Sequence, residues 1–353
     1  MSTASTSTDA GRLLVVDLAA TSRNWALKPE GERTILEATP PGWRVHVVRA
    51  STVSDGDGGR EPSAEVREAI RDAEAYVGFG MSRALFLEAR KLRWIHTATA
   101  GVGSALFPEM LASDVILTNS AGIHAPPIAE HVLAGILHFL RGFDVALDQQ
   151  RQARWDKHFF VAADNPLGEV ADCRVLVIGA GGIGTEVAIR CSALGATCVG
   201  IRRRPELGPP QGFSRVVGLG ELDAELPQAD VVVIAAPMTR ETAGLLTAER
   251  LDLLPRHAIL VNVARGTLVD ERALAERLAS GRLRGAVLDV FEREPLASDS
   301  PLWHLRSAVL TPHVSGVSPA RFWPRQLALF LDNWGRYVRG EAMRNVVDKQ
   351  AGY

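Results

Sequence analysis

Three short motifs hold the side chains best suited to chemistry. NVARGTLVDE carries Arg265, LDVFEREP carries Asp289 and Glu294, and LTPHVSG carries His313. A guanidinium binds anions as a rigid fork, and an imidazole gives or takes a proton near neutral pH, often beside a carboxylate. Taken singly, each has a plain explanation. A lone arginine is usually solvated, Glu294 could be a surface acid, and His313 could be a satisfied core histidine. Position is what raises them: each follows a strand in a stretch that reads as a dinucleotide-binding domain. Ligands of open α/β sheets bind outside the carboxyl ends of the strands, so these loops should meet.

The dinucleotide reading comes from RVLVIGAGGIGTEVAIRCSALG. Gly179, Gly181 and Gly184 fit G-x-G-x-x-G, directly after a strand and at the opening of a helix that ends at Gly195. The first glycine permits a tight turn, the second lets backbone N–H groups approach a diphosphate, and the third lets helix and strand pack closely. Gly182 and Ile183 open the same helix. At the end of the next strand, where NAD binders place an acid for the adenosine ribose, stand Arg202, Arg203 and Arg204, followed by Pro205. Guanidinium groups pair with a 2′-phosphate that a carboxylate would repel, so NADP is favoured and NAD is the alternative. Ala236, Pro237, Val263, Ala264, Asp289, Ser315 and Gly316, all near strand ends, complete the candidate cofactor-binding set.

These loops need a scaffold. Apolar runs at 13–17, 45–48, 75–79, 93–97 and 115–118 read as strands, with helical spacing at 64–73 and 82–89 between them. A second series follows the helix that Pro126 and Pro127 open. Its strands lie at 174–178, 197–201, 230–235, 258–263, 285–290 and 308–311. Strands alternating with helices imply an α/β chain with two doubly wound parallel sheets. The segment 318–353 is helical around Leu327, Leu331 and Trp334 and has no strands, so it is expected to return to the first domain, where Phe322 and Trp323 read as core. The expected boundaries are therefore 1–120 plus 317–353 for one domain and 121–316 for the other.

Charge and composition exclude several classes. The chain has 353 residues, with 39 basic against 41 acidic side chains, which argues against a nucleic-acid binder held by a positive field. No run approaches the roughly 20 apolar residues that span a bilayer. Residues 1–11 read as a frayed tail with no signal character, and the acidic loop 54–60 as a solvated connection. Cys173, Cys191 and Cys198 form no CxxC pair, so neither a disulfide framework nor a metal site is favoured. A cytoplasmic protein is expected.

The intervals of 29 residues from Arg265 to Glu294 and 19 from there to His313, with the glycine loop, resemble the D-specific 2-hydroxyacid dehydrogenases. The group includes glyoxylate/hydroxypyruvate reductases and phosphoglycerate, formate and phosphite dehydrogenases, and the resemblance runs from about Arg93 to Tyr353. It implies a Rossmann nucleotide domain and a flavodoxin-like substrate domain with a cleft between them, and a homodimer formed through the nucleotide domains. It further implies a triad: Arg265 binding a 2-oxo acid, His313 as acid and base, and Glu294 stabilising the imidazolium, with Asp289 near the nicotinamide carboxamide. His96–Gly103 resembles the family's carboxylate-binding loop, with Gly101 among its substrate-binding residues and the N–H groups of Val102 and Gly103 forming a small anion nest. Gly103 stands where the family often has Asp. The Phe79–Gly80–Met81 turn is expected to form the opposite wall. Glu294 argues against a formate dehydrogenase, and the lack of a domain after Tyr353 against a phosphoglycerate dehydrogenase. The same fold also serves non-catalytic dinucleotide-sensing corepressors, the alternative class.

Overall fold

Two parallel sheets organise the chain. The computed structural model describes residues 11–21, 25–50 and 61–352; the start at 1–10 and the loop at 54–60 lie outside the described residues. The chain divides into Met1–Ile123 with Ser318–Tyr353, and His124–Val317.

The first unit alternates β1 (Arg12–Asp17), α1 (Pro29–Glu37), β2 (Trp43–Val47), α2 (Ala64–Ile70), β3 (Ala75–Gly78), α3 (Arg83–Glu88), β4 (Trp94–Thr97), α4 (Pro108–Ala112) and β5 (Ile116–Thr118). The strands pair in parallel in the order β2-β1-β3-β4-β5. β3 and β4 are buried at every residue and β1 at all but its first, because a parallel sheet is covered on both faces. Ser63 and Ser82 start α2 and α3, their hydroxyls accepting from the N–H groups of Val66 and Leu85.

The second unit runs α5 (Ala125–Leu140), α6 (Phe143–Arg151), α7 (His158–Val161), β6 (Arg174–Ile178), α8 (Gly182–Ala193), β7 (Thr197–Ile201), β8 (Arg215–Val217), α9 (Leu222–Glu225), β9 (Val231–Ile234), α10 (Ala248–Asp252), β10 (Ile259–Asn262), α11 (Glu271–Ala279), β11 (Gly285–Leu288) and β12 (Ala308–Leu310). Its order is β12-β11-β10-β9-β6-β7-β8, all parallel. The strand order reverses between β6 and β9, which is where such sheets bind ligands. β8 is a seventh strand that the apolar pattern does not reveal, since only its last residue is buried.

The chain then returns to the first unit as α12 (Pro319–Arg339). Phe322, Trp323, Phe330 and Trp334 bury one face of α12 against Leu14, Val16, Val77 and Trp94, so Phe322 and Trp323 are core as expected. Trp94 stacks on Phe330 at 5.8 Å and on Tyr337 at 5.0 Å between ring centroids. The helix stops at Gly340, in the left-handed conformation that ends many helices, and the expected helical segment does not extend to 353. Among the described residues no helix is long and apolar enough to cross a membrane.

Candidate active site

Because every strand of the second sheet points the same way, the loops after β6, β7, β9, β10, β11 and β12 all open at one edge. The glycine loop begins with Gly179 at φ +106°, where a Cβ would lie 2.6 Å from the amide of Ala236. Only glycine fits there, and the contact sets Ala236 and Pro237 beside the loop. A Cβ on Gly184 would fall 2.1 Å from the carbonyl oxygen of Gly179, so the third glycine lets α8 close on β6. The N–H groups of Gly182, Ile183 and Gly184 have no protein acceptor among the described residues. Such a helix start, cradled by a loop that only glycine can form, fits a diphosphate.

After β7 the three arginines part company. The Arg202 guanidinium donates to the carbonyl of Gly208 at 3.0 Å and so closes the turn. Arg203 and Arg204 are exposed. After β9, the Thr242 hydroxyl donates to the carbonyl of Pro237 at 2.7 Å and shapes the 237–242 turn.

The loop after β10 is built by a residue that sequence reasoning missed. Asn262, buried, accepts from the Ala264 N–H at 3.1 Å and donates to the Arg265 carbonyl at 3.0 Å. Its bonds fix Val263 and Ala264 and turn the Arg265 side chain outward, exposed. The Arg265 guanidinium bonds to the Ala264 carbonyl at 2.7 Å and makes no ion pair among the described residues, leaving donors for an anion. Gly266 lies against the next loop so closely that a Cβ would sit 1.8 Å from the carbonyl carbon of Phe291.

That next loop carries Glu294. One of its carboxylate oxygens accepts from the Phe291 N–H at 3.1 Å, and the other lies 2.8 Å from Nδ1 of His313. Glu294 therefore holds the imidazole by one nitrogen while Nε2 has no protein partner among the described residues. Arg265 makes no hydrogen bond to either of them. Asp289, expected near the nicotinamide, is 1% exposed. Its oxygens accept from the Val314 N–H at 2.8 Å and the Ser315 N–H at 2.9 Å, pinning the turn that bears His313. Gly316 follows, its carbonyl 3.0 Å from Nδ1 of His124.

In the first unit the loop after β4 has its carbonyls tied from behind. Ser120 donates through its hydroxyl to Thr97 (2.8 Å) and through its N–H to Thr99 (3.0 Å), and Asn119 donates to Ala100 (2.8 Å). The Thr99 hydroxyl donates to the Gly101 carbonyl at 2.9 Å. With the carbonyls so occupied, the N–H groups of Gly101, Val102 and Gly103 have no protein acceptor among the described residues. Gly103 stands in this turn in place of the expected Asp. Gly80 sits at the turn after β3, its carbonyl 3.2 Å from the Tyr76 hydroxyl. The only sequence signal for the supports is the polar pair Asn119–Ser120 directly after an apolar strand.

His96, read as part of this loop, is instead wholly buried beneath it. Nδ1 lies 2.9 Å from the Thr118 hydroxyl and Nε2 lies 3.2 Å from the Ser120 hydroxyl. Burial pushes its pKa down to about 3. The folded form thus keeps His96 neutral, whereas the unfolded chain takes up a proton below about pH 6.5. Stability is fully present above that pH and is lost as the pH falls toward 3, by about 1 kcal/mol per pH unit if no other group opposes it. The thermal midpoint of the parent protein should therefore fall more between pH 7.5 and 5 than that of His96→Gln. Equal falls would remove His96 as the cause.

Cys173, Cys191 and Cys198 are buried and unbridged, and burial pushes the Cys173 thiol up to about 11. No cluster of His, Cys, Asp or Glu suited to a metal ion occurs among the described residues.

Comparison with known proteins bears on this arrangement. Residues 133–315 match the family described as D-isomer specific 2-hydroxyacid dehydrogenase, NAD binding domain. Over 280 residues the chain is 33% identical to the glyoxylate/hydroxypyruvate reductase A of Salmonella paratyphi B, covering 76% of this chain and 84% of that protein. Among solved structures, a D-isomer specific 2-hydroxyacid dehydrogenase from Xanthobacter autotrophicus, in complex with NADPH and MES, superposes with a TM-score of 0.76 at 30% identity, covering 97% of this chain and 99% of that one. An NADPH-dependent glyoxylate/hydroxypyruvate reductase from Sinorhizobium meliloti, bound to NADP and sulfate, gives 0.73 at 27% identity, covering 97% and 100%.

Proposed function

The chain belongs to the D-isomer specific 2-hydroxyacid dehydrogenases, nicotinamide-dependent oxidoreductases acting on CH–OH groups, and from that premise we propose that it reduces 2-oxo acids to D-2-hydroxy acids with NADPH preferred over NADH. The observation that carries the catalytic part is the 2.8 Å bond between His313 and Glu294 at the edge where the phosphate loop opens. Support for the cofactor preference comes from the exposed Arg203 and Arg204 after β7, and from two related structures that hold NADPH or NADP.

The glycine loop with Gly182 and Ile183 would hold the diphosphate, and Arg203 and Arg204 the 2′-phosphate. Ala236, Pro237, Val263, Ala264, Asp289, Ser315 and Gly316 would line the remainder. When bound, the dinucleotide supplies the hydride. As the substrate carbonyl is reduced, negative charge grows on its oxygen, and His313 donates a proton to it from Nε2. Glu294 keeps the ring oriented through Nδ1 and balances the imidazolium charge. Arg265 presents a planar fork to the substrate carboxylate and polarises the carbonyl. In the first unit, the amides of Gly101, Val102 and Gly103 would offer donors to a carboxylate, and the turn at Gly80 would limit a side chain.

Initial rates of NADPH and NADH oxidation with glyoxylate, hydroxypyruvate and phenylpyruvate test the reading. Turnover at least about tenfold more efficient with NADPH is expected, as one extra charge-assisted contact gives roughly that factor. Tight cofactor binding with no turnover on any of the three would overturn it in favour of a sensor. The proposed assembly is a homodimer of nucleotide domains. Phe143, Leu147, Val161 and the 89% exposed Trp155 supply apolar surface on that unit for a second copy, and light scattering at micromolar concentration reads the mass. Unbridged cysteines suit the reducing cytoplasm, the compartment proposed here; fractionation of the source cells reads it.

A further inference from the structure

The turn that bears His313 is held by more than its own motif. His313 adopts φ +54°, a region that residues with a side chain rarely occupy and that persists only when neighbours fix it. Its N–H group bonds to the carbonyls of Asp289 at 2.9 Å and Thr311 at 3.0 Å. The carboxylate of Asp289 faces the next two N–H groups, Val314 and Ser315, one oxygen to each. A carboxylate can hold two successive amides only while its plane stays in one orientation. The Thr311 hydroxyl supplies that constraint, donating to Oδ1 at 2.6 Å, a short charge-assisted bond. Thr311 in turn lies 3.4 Å from Nε2 of His131, which projects from α5. A hydroxyl has one proton, and Thr311 gives it to Asp289, so the His131 contact orients the oxygen as an acceptor.

We propose that Thr311 is a positioning residue for His313, acting through Asp289 and itself steered by His131. Neither Thr311 nor His131 bonds to Glu294, and the inference rests on the reading of His313 as the proton donor. Loss of the hydroxyl frees the Asp289 carboxylate to rotate. The amides of Val314 and Ser315 then lose their acceptor, and His313 relaxes from its unusual backbone conformation and draws its ring off Glu294.

Thr311→Val keeps the shape and removes the hydroxyl, while Thr311→Ser restores it. The expected result is a kcat about tenfold lower in Thr311→Val, with substrate KM within about twofold, and recovery to within about threefold in Thr311→Ser, the range of one lost hydrogen bond. A second readout needs no turnover: in protein labelled at its histidine rings, the His313 resonance, assigned by its loss in His313→Gln, should broaden or split in Thr311→Val. His131→Phe should show the same signature with a kcat loss of about threefold, and carries the test if Thr311→Val fails to fold. An unmoved His313 resonance with parental kcat in either foldable variant overturns the proposal. So does a Thr311→Ser protein as impaired as Thr311→Val, because the methyl packing and not the hydroxyl would then matter. If the parent protein reduces no 2-oxo acid, the functional reading fails, while a perturbed His313 resonance still upholds the positioning role.

Discussion

Replacing His313 with glutamine lowers kcat by about 10²–10⁴-fold while leaving NADPH affinity within about twofold, the span of a lost general acid. Glutamine can still reach Glu294 with an amide and keeps much of the volume, so the turn clamped by Asp289 should survive. What it lacks is a transferable proton for the growing alkoxide. Steady-state rates on the preferred 2-oxo acid give the first quantity, and quenching of intrinsic fluorescence by NADPH gives the second. A loss below tenfold would remove His313 from the chemistry. A parallel collapse of cofactor affinity would assign it to the nucleotide site.

The second large effect concerns the arginine turn. Changing Arg203 and Arg204 together to serine should raise the Kd for NADPH by about 10²-fold and change that for NADH by less than about threefold, since each charged hydrogen bond contributes about 1.5–3 kcal/mol. Arg202 should behave differently. Its guanidinium closes the turn on Gly208 at 3.0 Å, so Arg202→Gln loosens the loop and weakens both cofactors alike. Isothermal titration with each dinucleotide separates the two patterns. Equal losses for NADPH and NADH in the double variant would show that these side chains do not meet a 2′-phosphate.

Much of the architecture is legible in the sequence because parallel strands buried on both faces must be uninterrupted apolar runs. RVLVI and GAVL announce themselves, and the glycine spacing marks where a backbone must come close. β8 escaped because three residues with one buried side chain carry no period. Arg265, Glu294 and His313 could be picked out because their residue types at strand ends are uncommon together. The groups that hold their loops, and the loop after β4, could not. Asn262, Asn119, Ser120 and Thr311 exist to satisfy particular amides, carbonyls or carboxylates, and such partners are defined by the folded backbone. A polar residue after an apolar run looks the same whether it clamps a loop or faces water. His96 illustrates the converse: it sits in a motif that resembles a ligand loop, yet its surroundings bury it completely.

The return of α12 sets an order on biosynthesis. Leu14, Val16, Val77 and Trp94 share a core with Phe330 and Trp334, and these partners are encoded more than 200 residues downstream. While the ribosome is translating the middle of the chain, the opening sheet has one face without its cover, whereas residues 124–317 already contain all of their own strands. The part of the protein made first is thus the part finished last, and in the interval that face leaves apolar side chains uncovered.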